Sequence, residues 1–326
     1  MRLFFLLLVA AANITGQTAP LAARGTVVTD TLWSQSLGTR KSVVMYLPPS
    51  YASQSDRRYP VAYYLHGLAG RETDWTLHGH IDTVLDSLIA GGMPEMIVVM
   101  PDGDDGWYTT WNSLADQATC RRNPPRRESA ETYCVAWPHY DDYIVRDVVM
   151  FTDGKYRTVA NRAHRAIAGL SMGGYGAMAL SIGYPEVFGA AASHSGVISP
   201  LFTGPEPFDG HPRWAPSGAA LEKGWGQFWT TIGPAFGRDT IGWAARDPGR
   251  RLGKLVAKRG AVAAPALFVD CGTEDGLINE SRAFRWAAEQ YGVPVTYHEW
   301  PGRHDWVYWR THVAEGLRWI ADHIGS

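Results

Sequence analysis

Charge of either sign is not in excess here: 30 basic and 32 acidic residues leave a net charge of −2. No basic stripe gathers that a polyanion would need, which excludes nucleic acid as a partner. Cysteine is scarce, at positions 120, 134 and 271, and no CxxC or HxxxH spacing occurs, so the ligand pattern of a zinc site is missing. The apolar run at 3–12 is about half of the roughly 20 residues that cross a bilayer. There is no internal repeat and no low-complexity linker, which excludes a solenoid or a string of independent modules.

What is there reads as a globular chain. With 45% hydrophobic and 19% charged residues, the composition falls among folded soluble domains rather than disordered ones. One α/β core can hold this length, so a single domain with insertions is expected over 24–326. Residues 1–23 have the layout of a secretory signal: Arg2, the apolar run, then small and polar residues, with cleavage points offered at 10–12 and 21–23. That layout predicts a secreted or periplasmic protein with no stable membrane association once the signal is cleaved. In an oxidising compartment Cys120 and Cys134, which bracket an Arg- and Pro-rich stretch, are expected to form a disulfide. Cys271, beside the apolar run 266–270, is expected to be a buried free thiol.

Two β-branched segments, 26–33 and 42–47, are split by Gly38 and predict an antiparallel pair. Short apolar runs follow at 61–65, 96–100, 166–168, 189–193, 266–270 and 295–299, the pattern of strands buried on both faces. Helical periodicity lies between several of them, at 81–90, 140–151, 175–182, 281–291 and 306–323. The alternation predicts an α/β fold, a mostly parallel sheet with helices on both faces. Segments 104–137 and 200–258 interrupt the rhythm and read as functional loops or lid-like insertions.

The chemistry concentrates at Gly169-Leu170-Ser171-Met172-Gly173-Gly174, which follows the run 166–168 and precedes a helix. In GxSxG the serine sits on a sharp strand-to-helix turn that exposes its hydroxyl and leaves no room for side chains at the neighbouring positions. A serine hydroxyl needs a base, and the base needs a carboxylate, in the chain order serine, acid, histidine. His304 lies in the Pro/Gly loop after 295–299 and suits the base, whereas His298 lies within a strand and His194 breaks the order. For the acid the pattern leaves Asp270, Glu274 and Asp275; Asp275 is preferred, and Asp305 adjoins the histidine too closely to orient its far nitrogen. An oxyanion would be met by the N–H of Met172 and, from the loop His66-Gly67-Leu68-Ala69-Gly70, the N–H of Leu68. The mechanism asks for no cofactor and no metal.

These pieces resemble an esterase family that includes S-formylglutathione hydrolases (esterase D), feruloyl esterases, small tributyrin esterases and the mycolyltransferases of the antigen 85 group. The resemblance rests on LHGLAG at 65–70, AIAGLSMGGYGAMAL at 166–180, CGTEDGLI at 271–278 and GRHDWVYW at 302–309. It implies an α/β-hydrolase fold with Ser171 as nucleophile, Asp275 as acid, His304 as base and Leu68 as first oxyanion donor. Within the family the chain looks most similar to secreted carbohydrate esterases of the feruloyl type. The implied substrates are small-molecule or polysaccharide esters, with Trp75, Trp107, Tyr108 and Trp306 at the rim. Acyl transfer to another alcohol, as in the mycolyltransferases, and a non-catalytic binding protein on a hydrolase scaffold are the rival readings.

Overall fold

The computed structural model describes residues 24–110, 117–122, 130–135 and 138–325. The proposed signal at 1–23 and parts of the 104–137 segment lie outside the described residues. Ten strands are present among the described residues: β1 (Thr26–Ser34), β2 (Thr39–Leu47), β3 (Val61–Leu65), β4 (Ile97–Pro101), β5 (Arg165–Leu170), β6 (Ala190–His194), β7 (Phe202–Gly204), β8 (Arg213–Trp214), β9 (Ala266–Gly272) and β10 (Val295–Trp300). Eight of them form one sheet in the order β1-β2-β4-β3-β5-β6-β9-β10, while β7 and β8 make a separate ribbon. β1 and β2 pair antiparallel around a turn with Gly38 at φ +67°, and β2 runs antiparallel to β4. From β4 onward every pairing in the sheet is parallel.

The continuous apolar runs are explained by two cores, one on each face. In β3, Val61, Tyr63 and Leu65 join one core and Ala62 and Tyr64 the other, so both sets of alternate residues are buried. The first face is covered by the helices Met172–Gly183, Pro248–Arg259 and Ile278–Gln290 and by the helical stretch from Tyr140 to Lys155, which contains a π-helical segment, Tyr143–Val148. The second is covered by Ile81–Ala90 and Trp306–Ile324. Both sets of helices match the expected α/β architecture.

The segment 200–258 is more ordered than its weak periodicity implied. It holds the β7–β8 ribbon and the helices Gly218–Trp225, Trp229–Phe236, Thr240–Arg246 and Pro248–Arg259. Its periodicity is weak because many of its aromatics pack on one another: Trp243 stacks on Trp229 at 5.8 Å and contacts Trp225 and Phe236. Pro248–Arg259 is a core helix, opened by Asp247, whose side chain caps the Arg250 N–H, and by Pro248 at the first helical position. Cys120 and Cys134 are joined in a disulfide, and Cys271 is a buried free thiol.

Candidate active site

β5 ends at Leu170 and the next helix begins at Met172, so the single residue between them makes the turn. That residue is Ser171, at φ +52° and ψ −116°, a left-handed conformation that costs a residue with a Cβ on the order of 1–3 kcal/mol. The surroundings hold it there: the Ser171 N–H donates to the His194 carbonyl at 3.0 Å, and its own carbonyl accepts from the Tyr175 N–H at 3.0 Å. The flanking glycines have a steric cause. A Cβ on Gly169 would lie 2.5 Å from the Gly173 carbonyl carbon, and one on Gly173 would lie 2.4 Å from the Leu65 carbonyl oxygen. Strand, turn and helix close together only if both positions lack a side chain.

The loops after β9 and β10 bring two groups to this turn. His304 Nε2 lies 2.9 Å from Ser171 Oγ, and His304 Nδ1 lies 2.8 Å from Asp275 Oδ2. The other Asp275 oxygen accepts from the Leu277 N–H at 2.8 Å. Burial works against the charge on Asp275, but the hydrogen bond and positive field of His304 outweigh it and hold the carboxyl below the usual carboxylate range. A carboxylate fixed on Nδ1 keeps that nitrogen protonated and leaves Nε2 free to take the serine proton.

The competing acids are otherwise engaged. Asp270 is fully buried in β9 and accepts from His194 Nδ1 and the Tyr308 hydroxyl. Glu274 is exposed and pairs with Arg303. Asp305 caps the last helix, accepting from the Val307 and Tyr308 N–H groups.

Met172, as the first residue of its helix, has an N–H without an intrahelical acceptor. The loop after β3 stands opposite, with Gly67, Leu68 and Ala69 lining the same cavity as Ser171. Its shape depends on His66 and on Asp105, which sequence reasoning did not single out. Asp105 accepts the Ala69 N–H at 2.7 Å while Ala69 itself sits at φ +59°, and His66 donates from Nδ1 to the Gly67 carbonyl and accepts the Gly103 N–H on Nε2. Just behind lies a buried ion cluster in which Lys41 Nζ meets Asp102 at 2.8 Å and Asp104 at 2.7 Å. Asp105 lies in a segment with no periodic signal, and only its distance in space to Ala69 gives it a role.

The cavity has a volume of about 810 Å³. Of the four aromatics expected at the rim, Trp107 and Trp306 line it and Trp75 and Tyr108 do not. Trp75 is buried in the second core, where its Nε1–H donates to the Leu65 carbonyl and its ring meets Trp306 edge-on. Tyr108 is buried in the first core with its hydroxyl bonded to the His66 carbonyl. Both follow strand ends, but their side chains are buried in the two cores and support the site from beneath. The rest of the aromatic lining comes from 200–258, which supplies Trp225 and Phe228, and from Trp309, whose ring stands edge-on to His304 at 4.9 Å. Trp309 belongs to GRHDWVYW and had a signal in the sequence; Trp225 and Phe228 had none.

A family model described as "Putative esterase" matches residues 34–320. The chain belongs to this esterase family. Its sequence is 30% identical over 278 residues to Esterase Rv1288 of Mycobacterium tuberculosis, an alignment covering 83% of this chain and 54% of that protein, so the chain spans about half the length of that relative. It is 24% identical over 296 residues to an acetyl esterase of Caldicellulosiruptor saccharolyticus, covering 89% of this chain and 96% of the other. Among solved structures, a ferulic acid esterase superposes with a TM-score of 0.68 at 27% identity, over 93% of this chain and 99% of that one.

Proposed function

We propose that this chain is a serine carboxylic-ester hydrolase acting through an acyl-enzyme. The observation that carries the reading is the run of hydrogen bonds Asp275–His304–Ser171, ending at the mouth of a cavity large enough for a substrate. Ser171 Oγ attacks the ester carbonyl as its proton passes to His304 Nε2; the N–H groups of Leu68 and Met172 take the oxyanion; His304 returns the proton to the departing alcohol. Water then repeats the sequence on the acyl-enzyme. Asp275 stabilises the imidazolium throughout without taking up the proton.

The substrate reading is finer: short or aromatic acyl groups, acetyl or feruloyl, carried on carbohydrate. It is supported by the aromatic wall of the cavity and by the similarity to an acetyl esterase and a ferulic acid esterase. The N-terminal pattern supports export to the periplasm or beyond. The test is kcat/KM on p-nitrophenyl acetate, butyrate and laurate, methyl ferulate and acetylated xylan, together with mass-spectrometric mapping of a fluorophosphonate label. Labelling of Ser171 with highest efficiency on acetate or ferulate is the expected result. No labelling and no turnover refute the hydrolase, and highest efficiency on laurate refutes the substrate class.

A further inference from the structure

Trp107, Phe202, Trp225, Phe228, Trp306 and Trp309 line the catalytic cavity. Their rings stand at steep angles to one another, with Trp306 edge-on to Trp309 at 5.3 Å and Trp107 edge-on to Trp225 at 6.3 Å. The Trp306–Trp309 pair lies beside the base, since the Trp309 ring meets the His304 ring at 4.9 Å. The departing alcohol takes its proton from His304 Nε2, so this pair stands on the alcohol side of the substrate.

The carboxyl groups of the same wall have no basic counterpart. Asp74, Glu206, Asp275 and Glu280 line the cavity, and no Lys or Arg does. Asp275 is bonded to His304, and burial pushes the Glu280 carboxyl well above its usual range. Glu206, which is exposed, and Asp74, which is partly buried, remain as the negative charges open to a substrate. Asp74 is the first residue of the one-turn helix Asp74–Leu77, whose Trp75 ring meets Trp306 edge-on at 5.5 Å. Arg303, next to His304 in the chain, pairs with Glu274 at 3.0 Å.

A cleft lined by charge of one sign concentrates ions of the other, and aromatic faces attract a cation through the negative charge of their π-systems. A primary ammonium would need acceptors for three N–H bonds, which these rings do not supply, whereas a quaternary ammonium has none to satisfy. An anionic ester would meet Asp74 and Glu206 with no basic side chain to receive it. A neutral sugar can stack on the rings but draws nothing from the net charge.

We propose that the cavity accepts esters of quaternary ammonium alcohols, with the cation seated against Trp306 and held by the field of Asp74 and Glu206. This rests on the esterase reading above and adds a class of alcohol to it. The reaction is the same: Ser171 Oγ bonds to the acyl carbon, the ester C–O bond breaks, and the alcohol leaves with the proton from His304. Water then releases the acid.

The test compares acetylcholine with 3,3-dimethylbutyl acetate, which keeps the shape and the acyl group but has carbon in place of nitrogen. kcat/KM is read in the wild type, and binding by calorimetry in Ser171→Ala protein. Acetylcholine should be favoured about tenfold at low salt, the size of one partly desolvated cation–π contact, and the ratio should shrink as salt screens the carboxylates. The double variant Asp74→Asn/Glu206→Gln should lose most of the ratio and Trp306→Leu part of it. Glu289→Gln, at an exposed carboxylate outside the cavity, should keep it. Equal efficiency and equal binding of the two esters overturn the proposal, as does a ratio unmoved by the double variant in protein with a normal melting transition. A ratio indifferent to salt overturns it independently of any variant. Absence of turnover on both esters and on p-nitrophenyl acetate would count against the esterase reading instead, while calorimetric binding still decides the cation seat.

Discussion

Two histidine–aspartate pairs stand side by side at the carboxyl ends of the central strands. His194 and Asp270 lie opposite each other in the β6–β9 register, with His194 Nδ1 2.5 Å from Asp270 Oδ2. His304 and Asp275 sit in the loops that follow β10 and β9, with the same nitrogen 2.8 Å from the same oxygen. The chemical units are alike and their surroundings are not. His194 is buried among Tyr64, Trp75 and Phe268, and its Nε2 meets no partner among the described residues. His304 is partly exposed, and its Nε2 meets Ser171 at the cavity. A carboxylate behind an imidazole is therefore not enough for catalysis; the far nitrogen must face a nucleophile and a space for substrate. The inner pair instead ties β6 and β9 to the last helix through the Tyr308 hydroxyl.

The sharpest way to break this comparison is to remove the outer unit. Ser171→Ala and His304→Ala should each lower kcat by about 10⁴-fold or more, with circular dichroism and melting unchanged, because the members act together. Near-native turnover by either variant overturns their roles. Asp275→Asn should cost about 10³- to 10⁴-fold in kcat through loss of the correct tautomer. Asp270→Asn should leave kcat within about threefold and lower the melting temperature instead, as a buried hydrogen-bonded pair is weakened. If Asp270→Asn loses turnover and Asp275→Asn does not, the two pairs have been assigned the wrong way round.

The pH profile sharpens the same contrast. The folded-state pKa of Asp275 lies below its unfolded value, so its contribution to stability is present above the unfolded pKa and disappears as pH falls through the folded one. Asp275 therefore stays ionised into the acid range, so its protonation is not what first limits activity there. Activity should fall reversibly on the acid side before the chain unfolds, as measured by kcat against pH alongside tryptophan fluorescence. Loss of activity only where fluorescence reports unfolding would contradict this.

The smallest of these effects concerns the loop across from the outer pair. Asp105→Ala should lower kcat by about 10- to 100-fold with KM little changed, since the Leu68 donor is misplaced rather than removed. Asp105→Asn, which keeps an acceptor for the Ala69 N–H, should recover most of the loss. An Asp105→Ala variant that changes KM alone would show that the residue shapes substrate binding and not the oxyanion site.

The elements most legible in the sequence were those set by local constraint. Strands buried on both faces must be apolar at every position, so β3, β4, β5 and β6 showed as runs within two residues of their ends, while the half-exposed β2 began three residues earlier than its run. The turn at Ser171 needs Gly169 and Gly173 for steric reasons that operate over a few residues, so the motif announced itself. Other features depend on contacts between distant segments, and only the folded chain decided them. Asp270 closes the apolar run and Glu274 and Asp275 follow it, and all three stay open as the acid until one is found against His194, one against Arg303 and one against His304. Trp75 and Trp107 both follow strand ends, yet one supports the site from the core and the other lines the cavity. Trp225 and Phe228 reach the cavity from a segment of weak periodicity; Trp225 packs on Trp107 and Trp243, and aromatics that pack on one another obey neither the helical nor the strand period. A local pattern records which face of an element is buried, whereas the partner on that face is set by the path of the whole chain.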